Sequence, residues 1–132
     1  MEELSIRSRI IKAMSALSDV EFLQLIEGIH AADLAEVLET FEQEERSLIF
    51  EKLSPEMAAD VLVEFDQDER IELIASYSSE EIAQELVGNM DSDDAADLLS
   101  ELSDDLTREV LSQVEDVEQA KRIAQLLTHE ED

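Results

Sequence analysis

Residues 30–53, HAADLAEVLETFEQEERSLIFEKL, and residues 54–77, SPEMAADVLVEFDQDERIELIASY, are two readings of one pattern. At an offset of 24 they share Ala35/Ala59, Val37/Val61, Leu38/Leu62, Phe41/Phe65, Gln43/Gln67, Glu45/Glu69 and Arg46/Arg70. The pattern halves again. Cutting every twelve residues from Ser18 gives units that open at Ser18, His30, Glu42, Ser54, Asp66 and Ser78, then, after one inserted residue, at Asp91 and Ser103. The ninth position is Ile26, Leu38, Phe50, Leu62, Ile74, Leu86, Leu99 and Leu111, apolar in all eight units. The twelfth is Ile29, Phe41, Leu53, Phe65, Tyr77, Leu102 and Val114, with Met90 standing in where the unit is one residue longer. Such self-similarity marks a helical repeat, in which no unit can bury its apolar face alone.

The unit openings read as helix starts. Ser18 with Glu21 and Ser78 with Glu81 have capping-box spacing, and Asp66 with Glu69 is a looser version. Ser54 precedes Pro55 at a first helical position, where a missing N–H costs nothing. Asp91 and Ser103 stand at the equivalent cap positions. Helices of about nine residues, roughly 13 Å, are too short to persist in isolation and must stack. Ala58, Ala59, Ala95 and Ala96 would let neighbouring axes come close. The expected fold is all-α, a superhelix (α-solenoid) of short antiparallel helices with a 12/24-residue repeat. Residues 1–132 are read as one domain. Within it, 1–17 form a basic-leaning first helix (Arg7, Arg9, Lys12), 18–114 the repeat units, and 115–132 a last helix carrying Lys121 and Arg122.

Composition narrows the function. Thirty-six acids against nine bases give a formal charge of −27, with 44% apolar residues to build a core. Nucleic-acid binding needs a basic surface to displace counterions from phosphate, and an anionic membrane surface needs one too; neither suits this chain. A basic protein partner, metal cations or plain solubility remain. There is no Cys, so thiolate, disulfide and redox chemistry are out. No apolar run approaches the roughly 18 residues of a membrane span. His30 and His129 are read as exposed structural residues, and the serines fall at caps with no base beside them. An enzyme is not expected.

The acids divide by position. Asp68, Glu69, Glu80, Glu81, Asp93 and Asp94 fall in first turns, where the helix dipole favours them by about 0.3–1 kcal/mol. Position seven is different: Glu36, Asp60, Glu72, Asp97 and Glu109 sit mid-helix. Glu is a good helix former there, but Asp is a poor one, so Asp60 and Asp97 call for another explanation. Asp93, Asp97 and Glu101 follow one another at four-residue spacing on one face. Two carboxylates roughly 6 Å apart repel by about 0.7 kcal/mol in water, and a hard divalent cation reverses that sign. Mg²⁺ suits such a face because it takes one or two carboxylates and keeps its waters. An EF-hand does not fit, since counting from Asp91 the sixth position is Ala96 and the twelfth Leu102. A cation would be held incompletely and shared with a second surface.

The stretches HAADLAEVLETF (30–41), SPEMAADVLVEF (54–65) and MDSDDAADLLSEL (90–102), in this order and spacing, resemble the N-terminal cytosolic domain of the MgtE magnesium transporters. The similarity runs over about residues 18–132. It implies a right-handed superhelix, followed in that family by CBS domains and a membrane pore, in a homodimer. It further implies a regulatory role on the cytoplasmic side of the membrane. Mg²⁺ would bridge acidic faces of this domain and the CBS domains of the same polypeptide and so hold the pore closed. Matched motif by motif, the family's acidic ligands fall on Asp60, Asp93 and Asp97. The resemblance puts the chain's end at Asp132 near the start of the CBS segment, as for an excised domain making no direct membrane contact. The rival reading is an acidic α-solenoid scaffold without metal sensing, related to the flagellar motor switch protein FliG.

Overall fold

The computed structural model describes the backbone of residues 2–15 and 18–131, and the side chains of 6–15 and 18–128. These residues form helices and no strand: α1 (Glu2–Met14), α2 (Asp19–Ile26), α3 (Ala31–Leu38), α4 (Gln43–Lys52), α5 (Pro55–Glu64), α6 (Gln67–Ile74), α7 (Ser79–Glu81), α8 (Ser92–Ser100), α9 (Asp104–Ser112) and α10 (Val117–Glu131). Helix α7 runs on as a π-turn, Ile82–Leu86, and a 3₁₀ turn, Val87–Asn89. The all-α architecture is the one the repeat implies. The chain divides into two compact units, Met1–Glu64 and Phe65–Asp132.

Burial follows the twelve-residue beat. Ile26, Leu38, Phe50, Leu62, Ile74, Leu86 and Leu99 are buried and Leu111 is half-buried, so position nine is the core position. Position twelve behaves alike: Ile29, Phe41, Leu53, Phe65, Met90 and Val114 are buried, and Tyr77 and Leu102 half-buried. No charged or polar residue among those described is buried, so the described acids lie at or near the surface. Ala58, Ala59, Ala95 and Ala96 are buried; α5 packs on α3 in the first unit and α8 on α10 in the second. A side chain no larger than a methyl group lets backbones approach.

The one unit with an extra residue, 78–90, is the one whose helix carries the π-turn. A π-turn takes one more residue than an α-turn, so the insertion is absorbed inside the helix while Leu86 and Met90 keep their buried places. Gln119 of α10 then donates to the carbonyls of Val87 and Met90, at 3.1 Å each. Helix ends are otherwise satisfied much as the sequence indicates. Ser18, Ser54, Asp66, Ser78 and Ser103 each accept a backbone N–H three residues on, and Ser78 with Glu81 completes a capping box.

Repeated arginines close the other ends. In the first unit, Arg46 donates to the carbonyls of Leu38 (3.1 Å) and Phe41 (3.0 Å) at the end of α3. Arg70, 24 residues later, donates to the carbonyl of Phe65, the repeat equivalent of Phe41. Thr107 reaches back to Leu99 O at 2.8 Å by the same eight-residue step as Arg46 to Leu38. On α1, Arg9 donates to Leu25 O and Glu27 O, and Arg7 lies 4.2 Å over the Phe41 ring. The basic character of the first helix is thus used to cap α2 and to cover an aromatic core residue.

Candidate functional site

The acidic start of α8 follows from its sequence. Ala95, Ala96, Leu98 and Leu99 are buried, which fixes the rotation of the helix and leaves Asp93 and Asp97 exposed, one turn apart. Asp94, between them in sequence, is half-buried. Asp91 occupies the N-cap position, but its side chain makes no capping bond, unlike Ser54 and Ser103 at the equivalent places. The cap role expected for Asp91 is therefore filled in backbone conformation only, and its carboxylate is left as part of a cluster.

The crowding has an electrostatic signature. The carboxyl of Asp94 is held above the ordinary carboxylate range, first by its partial burial and then by the charges of Asp91, Asp97 and Asp93. Like charges in one turn make each further ionisation harder. Asp93 also borders an open cleft whose other lining includes Ser92, Arg122, Gln125 and Thr128. None of Asp60, Asp93 and Asp97 makes an ion pair among the described residues.

Glu101 departs from the simple four-residue spacing. Its two oxygens are taken by Arg70 of α6, Oε1 from Nε at 3.0 Å and Oε2 from Nη2. The side chains are only 19% and 12% exposed for Arg70 and Glu101, so this ion pair is sheltered from solvent. Bidentate pairing of this kind is stronger and more directional than a surface contact. The Arg70 guanidinium holds its proton even more firmly than usual, chiefly through the Glu101 bond, with the charges of Asp66 and Asp97 adding to it against the desolvation that burial imposes. The sequence reads Asp97 and Glu101 as a repelling pair; the fold supplies Glu101 with a cation from 31 residues away. The only forewarning was that Arg70 belongs to the shared repeat positions.

Asp60 is exposed at mid-α5, beside the buried Ala58, Ala59 and Val61. It belongs to the first unit, whereas Asp93 and Asp97 belong to the second. Within the second unit the structure brings Asp93 and Asp97 onto one exposed face. Among the described residues no three histidines or carboxylates gather into a group that could hold a metal ion. The donors present are hard oxygens, exposed and paired, which fits a cation that takes one or two carboxylates and keeps most of its water. His30 is exposed at the start of α3 with no capping bond, and the side chain of His129 lies outside the described residues. No described helix is long and apolar enough to cross a membrane.

Comparison with known proteins places this geometry. A solved structure described as the soluble part of a magnesium transporter superposes with a TM-score of 0.75 at 21% identity, over 95% of this chain. That likeness shows the fold, an all-α superhelix. The chain spans about half, 49%, of the chain it matches there. No curated protein matches it in sequence. The family profile described as the MgtE intracellular N domain matches residues 29–132, most of the chain from the end of α2 onward. The chain belongs to the MgtE intracellular N domain family.

Proposed function

We propose that this domain is the Mg²⁺-sensing, regulatory part of a magnesium transporter, lying on the cytoplasmic side of the membrane. Mg²⁺ would bridge its acidic surface to the CBS domains of the same polypeptide, in a homodimer, and favour the closed pore. The observation that carries this reading is the exposed Asp93–Asp97 face of α8. Partial burial first, and the neighbouring charges of Asp91, Asp97 and Asp93 after it, raise Asp94 between them, and the carboxylate of Asp91 is not consumed by capping. The family match and the magnesium-transporter fold support the identity of the ion.

The mechanism is a charge switch. At low Mg²⁺ two acidic modules repel each other, and at high Mg²⁺ each bound ion neutralises carboxylates from both, so occupancy biases a two-state arrangement. This domain supplies part of the ligand set, through Asp60, Asp93 and Asp97. A weak and incomplete affinity in the domain by itself follows, because the remaining ligands are water.

The test is a Mg²⁺ titration of a polypeptide joining this domain to its CBS pair, against NaCl of equal ionic strength, with the interdomain distance read by paired spin labels. The wild type is expected to close at millimolar Mg²⁺ and not in NaCl, and Asp93→Ala or Asp97→Ala to move the midpoint upward several-fold. A distance that ignores Mg²⁺ in the wild type overturns the proposal. It would favour the scaffold reading, for which the first unit offers a shallow apolar groove lined by Val20, Leu23, Ile26 and Met57.

A further inference from the structure

Arg70 bonds both carboxylate oxygens of Glu101, and the charges of Glu101, Asp66 and Asp97 help it hold its proton. Its repeat partner Arg46 shows what the position does for the fold: the guanidinium ties off carbonyls at the end of the preceding helix. Arg70 keeps that task at Phe65 O and adds a second one, the two-pronged bond to Glu101 at the end of α8. An arginine is suited to this because its planar fork meets both carboxylate oxygens at once and stays charged at any accessible pH.

Two consequences follow for α8. Glu101 stands one turn beyond Asp97, where it would extend the run of exposed acids, yet both its oxygens are engaged and its side chain is nearly covered. The acid run open to an outside cation therefore stops at Asp97. The second consequence is long-range. A fixed positive charge whose field reaches Asp97 opposes the arrival of a doubly charged ion there.

We propose that Arg70 is a tuning residue for the α8 carboxylate face: it withholds Glu101 as an internal ion pair and, by its charge, weakens the hold of Asp93 and Asp97 on Mg²⁺. This rests on the Mg²⁺-sensing reading and adds to it a built-in limit on affinity, which keeps the face empty until the cation is abundant.

The experiment compares Arg70→Met and Glu101→Gln in this 132-residue chain. Mg²⁺ is titrated at constant ionic strength, and binding is followed through the ¹³C shifts of the Asp93 and Asp97 carboxyls. Both substitutions break the same bond, but they change the local charge in opposite directions. Arg70→Met removes a positive charge and frees Glu101, so Mg²⁺ is expected to bind roughly two- to ten-fold more tightly. Glu101→Gln leaves Arg70 uncompensated, so binding weakens by a similar factor. The double variant returns to the wild-type midpoint. A purely structural role for the pair predicts that both single variants weaken binding together, and that result, or no change in either, overturns the inference. Arg70→Lys keeps the charge without the fork and serves if Arg70→Met disturbs the helices. It is expected to stay within about two-fold of wild type, and a loss of binding there would overturn the inference as well. Carboxyl shifts in the wild type that respond no more to Mg²⁺ than to Na⁺ would instead remove the Mg²⁺-sensing reading on which it rests.

Discussion

Helices α5 and α8 are built on the same core and begin differently. Ala58-Ala59-Asp60-Val61-Leu62 of α5 corresponds to Ala95-Ala96-Asp97-Leu98-Leu99 of α8, with the four apolar residues buried and the aspartate exposed in both. At the start of α5, Ser54 accepts the Met57 N–H, Pro55 takes the first helical position, and Glu56 is the acid of the first turn. At the start of α8, Asp91 makes no side-chain cap, and Asp93 and Asp94 follow it. Helix α5 shows that this scaffold needs one hydroxyl and one proline to begin. The additional carboxylates of α8 are therefore not required for helix initiation. They gain from the helix dipole, but Asp94 is raised, first by its partial burial and then by the charges of Asp91, Asp97 and Asp93, so part of that gain is offset there.

If the two cores are equivalent, their largest losses should match. Leu62→Ala and Leu99→Ala each remove a side chain with no exposed area and should each cost about 2–5 kcal/mol in urea unfolding. Leu111→Ala, at the same repeat position but half-buried, should cost distinctly less. A Leu99 loss as small as that of Leu111 would break the comparison, because α8 would then not share the packing of α5.

Most of the fold is legible in the sequence because its signal is repeated. Position nine recurs eight times, so a single ambiguous residue cannot hide the period, and burial follows it from Ile26 to Leu99. The insertion at 78–90 is legible as a count, but its accommodation as a π-turn is not, since that depends on which carbonyls find donors such as Gln119. Exposure of Asp60 and Asp97 is legible from helical phase, because both stand beside alanines and leucines that must face inward. The Arg70–Glu101 pair is not. Local spacing assigns Glu101 to the Asp97 face, and only the packing of residues 31 positions apart gives it an arginine. The idle side chain of Asp91 is likewise invisible, as an aspartate at a cap position ordinarily caps.

The helix starts give a second, smaller test. Ser54→Ala removes a formed cap and should lower stability by about 1 kcal/mol. Asp91→Ser should do the reverse, adding the bond that Asp91 does not make and relieving one charge beside Asp94. A gain of about 0.5–1 kcal/mol in thermal or urea unfolding is expected. A loss at Asp91→Ser would mean that its carboxylate serves the helix after all, and that the cluster has a folding role.

The smallest effects carry the sign that separates the two helices. Because the folded state raises the Asp94 pKa above its ordinary 3.8, the folded chain holds that proton at a pH where the unfolded chain has already lost it. The folded form thus binds more protons in the window just above 3.8, and the contribution of this group to stability falls as pH rises through that window. At neutral pH an ionised Asp94 is a burden, so Asp94→Asn should stabilise by about 0.2–0.5 kcal/mol for each like-charge contact relieved. The gain should shrink as pH falls into that window and the wild-type carboxyl regains its proton, and in about 1 M salt, where screening acts within about 3 Å. Glu56→Gln in α5 should have the opposite sign at pH 7, a loss of about 0.3–1 kcal/mol, because that acid faces the helix dipole without the three carboxylates that crowd Asp94. Equal signs at the two helices would mean that the dipole outweighs repulsion on α8 as well. The acidic start of α8 would then be ordinary helix electrostatics, and the main physical ground for an outside cation would be gone.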